Sequence, residues 1–432
     1  MNKNITLEYL QKIFNLGDYD DVIDLVNMSI ENNSSTPEFE FLMACSLTFL
    51  NQYPEAERIY KNILENNSQV NSDIYYNLSN ISSKLGKYKD AAFYARQYVN
   101  TNPERSQGYR LLGNVYMNLM LLGESVMSFQ MALSLDKNNK DTIKGLSECY
   151  RKIGNKEKTL EFLLMQDKSP RRDMNILESY YTTGRKKLFN DKLIELSQDK
   201  KLLPLVACLS AHASIRFSQR DNYNFCPNPM NYINHYSLGE GELNSTFIKE
   251  VISTIEKYNF EYKPQDLLKN GSQTLGYGNL FDLKDEPIIG LKKIVEKKIS
   301  EYREFYKNEN IGFFKKWPKK GEYQLTGWLI DLKTGGSLKP HIHKEGWLSG
   351  SLYLNVPEKN KAKEGDIKFS IGGLDSYPED GKFYNEKIVS LKTGDLVLFP
   401  SSIFHSTIPF SSDQKRLTFA FDIIPNYMFD KN

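Results

Sequence analysis

The sequence predicts a multidomain α+β chain: an N-terminal α-solenoid of helical hairpins, then a C-terminal region of short antiparallel strands. Two patterns carry that reading, a repeat of about 34 residues through the first third and a change to period-two patterning from Glu322 onward. Length sets the bound, since 432 residues are room for two or three domains rather than one core.

The repeat comes first along the chain. Aligning the hairpin turns puts Tyr19, Tyr53, Tyr88, Leu122 and Lys156 at one register, with steps of 34, 35, 34 and 34 residues. In the clearest unit Tyr109, Leu112, Gly113 and Tyr116 share one helix face, and Ser125, Phe129 and Ala132 line the next helix. The unit before it shows Tyr75, Leu78, Ala91 and Tyr94, and Pro103 ends its second helix. Small residues at Ala56, Ala91 and Ser125 let paired helices approach closely, while the aromatics fill the space between hairpins. Over about residues 5–165, in four to five units, this resembles the tetratricopeptide repeat family.

Residues 170–310 read as helices over Asp173–Leu188, Leu202–Arg216, Ser245–Tyr258 and Pro287–Phe305. The last carries Ile288, Leu291, Ile294 and Val295 as an apolar stripe among lysines. Asn222–Asn234, rich in proline and asparagine, reads as an ordered loop. Cys226 and His235 near it are two isolated ligand types, so packing and a turn explain them better than a metal does.

From Glu322 the candidate strands are Tyr323–Leu332, Gly350–Val356, Asp366–Ile371, Lys387–Leu391, Asp395–Phe399, Ser406–Pro409 and Arg416–Ile423. Turns are expected at Gly335-Gly336, Pro378–Gly381 and Gly394-Asp395. Many short strands so punctuated argue for a barrel or sandwich.

Composition narrows the function. Lys plus Arg is 56 against 54 Asp plus Glu, with the signs interspersed, so there is no basic field for nucleic acid. The longest apolar stretch, Leu202–Ile215, is interrupted by Ser210 and His212 and is too short to span a bilayer. The first residues lack the apolar core of a secretory signal. Cys45, Cys149, Cys208 and Cys226 form no CxxC pair, which points to reduced thiols and a cytoplasmic setting.

The chemistry-bearing residues concentrate in the β region. Of five histidines, His341, His343 and His405 fall there. In a strand, residues i and i+2 point to the same side, so His341 and His343 can converge on one ion; His343-x-Glu345 satisfies the same geometry. Arg416, Thr418 and Ala420 share one face of their strand, opposite Leu417, Phe419 and Phe421. A lone arginine beside two small residues suits the floor of an anion pocket, because its fork binds a carboxylate with two parallel hydrogen bonds.

This order of parts, over about residues 323–424, resembles the 2-oxoglutarate- and Fe(II)-dependent oxygenase superfamily, and within it a branch with an HxH-x5-SG-x2-Y signature. The resemblance implies a double-stranded β-helix (jelly roll) with flanking helices. It implies His405 as the distal iron ligand, and Arg416 with Thr418 as the clamp on the far carboxylate of 2-oxoglutarate. The stretch Ser351-Leu352-Tyr353-Leu354-Asn355 resembles the prolyl-hydroxylase strand, whose tyrosine, here Tyr353, reaches that carboxylate; Ser349, Ser351 and Asn355 share its face as a polar pocket wall. The departure is in the first motif. The metal set is either His341, His343 and His405 or His343, Glu345 and His405, the former matching the closer branch. No catalytic side chain is expected beyond the metal centre.

The expected organisation is a solenoid at 1–168, a helical buttress at 169–310 and an oxygenase domain at 311–432. Implied cofactors are Fe(II) and 2-oxoglutarate, with ascorbate as a reductant. Implied partners are O2 and a protein or peptide held in the repeat groove, with neither nucleic acid nor membrane. The rival readings are an oxygenase of a small metabolite whose repeats serve assembly, and a repeat scaffold with an inactive barrel.

Overall fold

The computed structural model describes residues 5–66, 71–198, 201, 203–258, 267–274, 279–373, 377–378 and 380–429. The chain divides into two compact units, Met1–Asp167 and Lys168–Asn432.

The first unit is built of helical hairpins. In chain order its helices are α1 (Leu7–Leu16), α2 (Tyr19–Glu31), α3 (Pro37–Phe49), α4 (Tyr53–Asn66), α5 (Asp73–Lys84), α6 (Tyr88–Thr101), α7 (Ser106–Asn118), α8 (Leu122–Leu135), α9 (Lys140–Ile153) and α10 (Lys156–Leu164). Tyr19, Tyr53, Tyr88, Leu122 and Lys156, the residues of the 34-residue register, each open the second helix of a hairpin. Packing explains the small residues at fixed places. Phe129 on α8 is fully buried, and a Cβ at Gly113 of α7 or Gly145 of α9 would stand 2.8 or 2.5 Å from its ring. Ser125 Oγ donates to the Gly113 carbonyl at 2.7 Å, and Ser79 Oγ to the Ala91 carbonyl at 2.9 Å, so these small side chains also satisfy themselves inside the hairpin.

The second unit begins with α11 (Pro170–Thr182), α12 (Lys186–Ser197) and α13 (Pro204–Arg216), and adds α14 (Ser245–Glu256) and α15 (Glu286–Phe305). The single helix expected over Asp173–Leu188 is two helices, because Gly184 takes φ +72° and stops the first. Every residue of α13 from Pro204 to Ala213 is buried, the pattern of a helix enclosed on all sides.

Nine strands among the described residues form two antiparallel sheets: β1 (Asn234–Ser237), β2 (Leu268–Gln273), β3 (Tyr323–Leu338), β4 (Leu348–Asn355), β5 (Ile367–Ser370), β6 (Glu386–Val389), β7 (Asp395–Pro400), β8 (Phe404–Thr407) and β9 (Arg416–Pro425). The larger sheet has the order β1-β7-β4-β9-β3-β2 and the smaller β6-β5-β8. Gly335-Gly336 is not a turn between strands. It lies in a bulge within β3, where Lys269 pairs with Ser337 but Gly271 pairs with Leu332. The turn at Gly394 does precede β7, with φ +88° at the glycine. Of the expected turn Pro378–Gly381, Glu379 lies outside the described residues.

One apolar core joins these helices to the larger sheet, taking Leu209 from α13, Leu291 and Val295 from α15, and Phe419 and Phe421 from β9. Phe281 packs against Phe419 with ring centroids 5.0 Å apart and the planes tilted by 53°. Covered by helices on that face, β9 turns Arg416, Thr418 and Ala420 the other way, into a cavity. Among the described residues no helix is long and apolar enough to cross a membrane.

Candidate metal centre

Backbone pairing assembles the three histidines. His341 and His405 form a β-bridge, each N–H donating to the other's carbonyl at 3.1 and 3.0 Å, and His343 N–H donates to Ser401 O at 3.2 Å. The HxH segment is therefore pinned to β8 at His341 and to the loop between β7 and β8 at His343, and both imidazoles lie beside that of His405. Ring centroids are 4.3 Å apart for His341–His405, 4.9 Å for His343–His405 and 5.3 Å for His341–His343. One ring nitrogen from each lies within 4.8 Å of the others.

Hydrogen bonds on the far side of each ring assign the tautomers. Nδ1 of His341 is 2.8 Å from Lys339 O, Nδ1 of His405 is 3.3 Å from Ile403 O, and Nδ1 of His343 is 2.6 Å from Asp422 Oδ1. Carbonyls and carboxylates only accept, so each Nδ1 carries the proton and each Nε2 keeps a free lone pair. Burial, with the neighbouring His343, pushes His341 down to about 4, and burial with the same kind of neighbours pushes His405 well below its ordinary value. Phe399, 4.7 Å from His405, and Trp328, 5.6 Å from His343, supply part of the apolar wall. His341 and His405 are thus held as neutral imidazoles, the form that ligates a metal.

The cavity in front of them has a volume of about 320 Å3 and also takes in Arg416, Thr418, Tyr353 and Ser351. Arg416 is 2 % exposed. It donates through Nε to Gly365 O at 2.9 Å and through Nη1 to Thr418 Oγ1 at 2.8 Å, and it lies over the Tyr353 ring at 4.9 Å. Among the described residues it has no carboxylate partner. Burial holds its pKa below the usual value. Tyr353 stands opposite Thr418 in the β4–β9 register, and its buried hydroxyl has no hydrogen-bond partner of normal geometry among the described residues. Burial pushes that phenol up to about 12.

Glu345 lines the same cavity but is not part of the clustered ligand group. Its carboxylate pairs with Arg171 of α11, and Lys344 beside it is held by Glu178 of the same helix at 2.7 Å. Cys226 is a free buried thiol, and His235 pairs with Asp395 at 2.8 Å.

Asp422 and Ser401, absent from the sequence reading, complete the site together with Ser349 of the polar wall. Asp422 Oδ1 also accepts from Ser349 Oγ at 2.6 Å, and Ser349 Oγ lies 2.7 Å from Ser401 Oγ. Gly346 is required there, because a Cβ at that position would stand 2.6 Å from Ser401 Oγ. Extending the β9 alternation past Ala420 reaches Asp422, so that residue had a signal, as Ser349 had through the face it shares with Ser351 and Tyr353; Ser401 had none.

Comparison with known families fits this geometry. Residues 326–422 match the family described as "Putative 2OG-Fe(II) oxygenase". Residues 72–105 match the tetratricopeptide repeat. The chain thus joins an oxygenase-family domain to helical repeats. A protein CTR9 homolog from Arabidopsis thaliana is 33% identical over 106 residues, which is 24% of this chain and 10% of that protein. Solved structures similar to the chain include a tetratricopeptide repeat protein from Parabacteroides merdae, at 13% identity and TM-score 0.39, covering 50% of this chain and 88% of that one. PilF of Pseudomonas aeruginosa is similar at 13% identity and TM-score 0.38, covering 44% and 89%. YrrB, described as a TPR protein with an unusual peptide-binding site, is similar at 20% identity and TM-score 0.34, covering 37% and 81%.

Proposed function

We propose that this protein is a 2-oxoglutarate- and Fe(II)-dependent dioxygenase, a hydroxylase whose repeats recruit a protein or peptide substrate. The observation that carries the proposal is Arg416: a buried guanidinium with no carboxylate partner among the described residues, in the same cavity as three clustered imidazoles. An unpaired buried charge is costly, so such a site favours an anionic ligand.

The donor set fits the metal and its cosubstrate. His341, His343 and His405 would hold Fe(II) by Nε2, leaving positions open, and Arg416 would take the far carboxylate of 2-oxoglutarate. When bound, Fe(II) and 2-oxoglutarate supply reductive activation of O2, with release of succinate and CO2 and hydroxylation of a C–H bond. The chain's own residues do the rest. Thr418 and the Gly365 carbonyl aim the guanidinium, the Tyr353 hydroxyl offers a second donor to the same carboxylate, and Phe399, Trp328 and their neighbours keep water out. Ascorbate would serve as reductant between turnovers.

We assign residues 1–168 to recruitment, 169–310 to buttressing the barrel and 311–432 to chemistry within a double-stranded β-helix. The four free cysteines accord with a reducing, cytoplasmic setting. Calorimetry of 2-oxoglutarate against the Fe(II)-loaded protein under argon tests the proposal. Saturable binding that requires the metal supports it, and binding that ignores the metal would overturn it.

A further inference from the structure

On the reading that the three histidines hold the metal, we infer that Asp422 is a positioning residue that restores to the site the negative charge its ligands lack. A set of two histidines and one carboxylate carries a charge of −1, whereas three neutral imidazoles carry none. Asp422 is buried at 6 % exposure one hydrogen bond behind His343, 2.6 Å from its Nδ1. Its only ion-pairing partner among the described residues is that imidazole; no lysine or arginine neutralises it.

The surrounding bonds give the arrangement a direction. The carboxylate can only accept, so His343 Nδ1–H and Ser349 Oγ–H both donate to Oδ1, and Ser401 Oγ–H supports Ser349. Gly346 lets this cluster close: a Cβ there would stand 3.2 Å from Asp422 Cγ. The result is a carboxylate–histidine pair that orients the ring, fixes its Nδ1–H tautomer and makes Nε2 a stronger donor. In a desolvated cavity the charge is felt at the metal although the carboxylate does not touch it.

Asp422→Asn keeps size and an acceptor but removes the charge. In the full chain, Fe(II) affinity should fall roughly 10–100-fold, and the Fe(III)/Fe(II) potential should move positive. Ser349→Ala removes the donor that shares Oδ1 with His343, so its potential should move the opposite way. That variant also decides the matter if Asp422→Asn does not fold. Unchanged affinity and potential in a folded Asp422→Asn protein, or an unmoved or positive shift in Ser349→Ala, overturns the inference while leaving the three-histidine reading intact. Full metal binding by His405→Ala would overturn both.

Discussion

Arg416 and the histidines around its cavity are where the account is most exposed to test. Replacing Arg416 with alanine removes a charge-assisted pair from a desolvated carboxylate, which should weaken 2-oxoglutarate binding by roughly 2–4 kcal/mol. Fe(II) binding should persist, because Arg416 is not a ligand; calorimetry of metal and cosubstrate in turn separates the two effects. The ligand set has its own test. His341→Ala and His405→Ala should each abolish tight metal binding, and Glu345→Ala should leave it largely intact, since that carboxylate is paired with Arg171. Loss of metal in Glu345→Ala with retention in His341→Ala would place the carboxylate in the ligand set. Much of this was legible residue by residue. His341, His343 and Arg416 declare themselves through i, i+2 spacing, which is local, whereas the Arg171–Glu345 pair joins positions 174 residues apart that no local pattern connects.

Among the elements, legibility followed how much of a segment is buried and how regularly. The hairpins repeat because each must bury the same face against its neighbour, so their period is written in Tyr19, Tyr53 and Tyr88. Strands β1 and β2 escaped because they are the two edges of the larger sheet. Asn234–Ser237 and Leu268–Gln273 pair on one side only and stay partly exposed, so neither carries apolar alternation. The buried helix α13 leads to a prediction of its own. Burial, with Arg216 nearby, pushes His212 down to about 4 from an ordinary 6.5, and burial acts alike on His341 in the metal-free protein. Unfolding restores the ordinary value, so below about 6.5 the unfolded chain binds more protons. Stability of the metal-free protein should therefore decline as pH falls from about 6.5 towards 4, by roughly 1.4 kcal/mol per pH unit for each such imidazole. Urea midpoints across that range measure it, and His212→Gln should reduce the slope.

At the scale of the whole molecule, the boundary at Asp167/Lys168 separates a repeat unit from one whose helices and strands share a core. A chain beginning at Lys168 should fold, bind Fe(II) and 2-oxoglutarate, and lose most activity on a protein substrate, because recruitment acts through effective concentration. Such a protein, shown to be monodisperse, with full activity on the native substrate would make the repeats an assembly device. The central claim is that one cavity holds metal and cosubstrate together for oxygen chemistry. Succinate released when air is admitted to the full chain, reconstituted anaerobically with Fe(II) and 2-oxoglutarate, tests it most directly. The wild-type chain should release stoichiometric or slow catalytic succinate and the Arg416→Ala and His405→Ala variants almost none; no succinate from a wild-type protein shown to hold both ligands would contradict that claim.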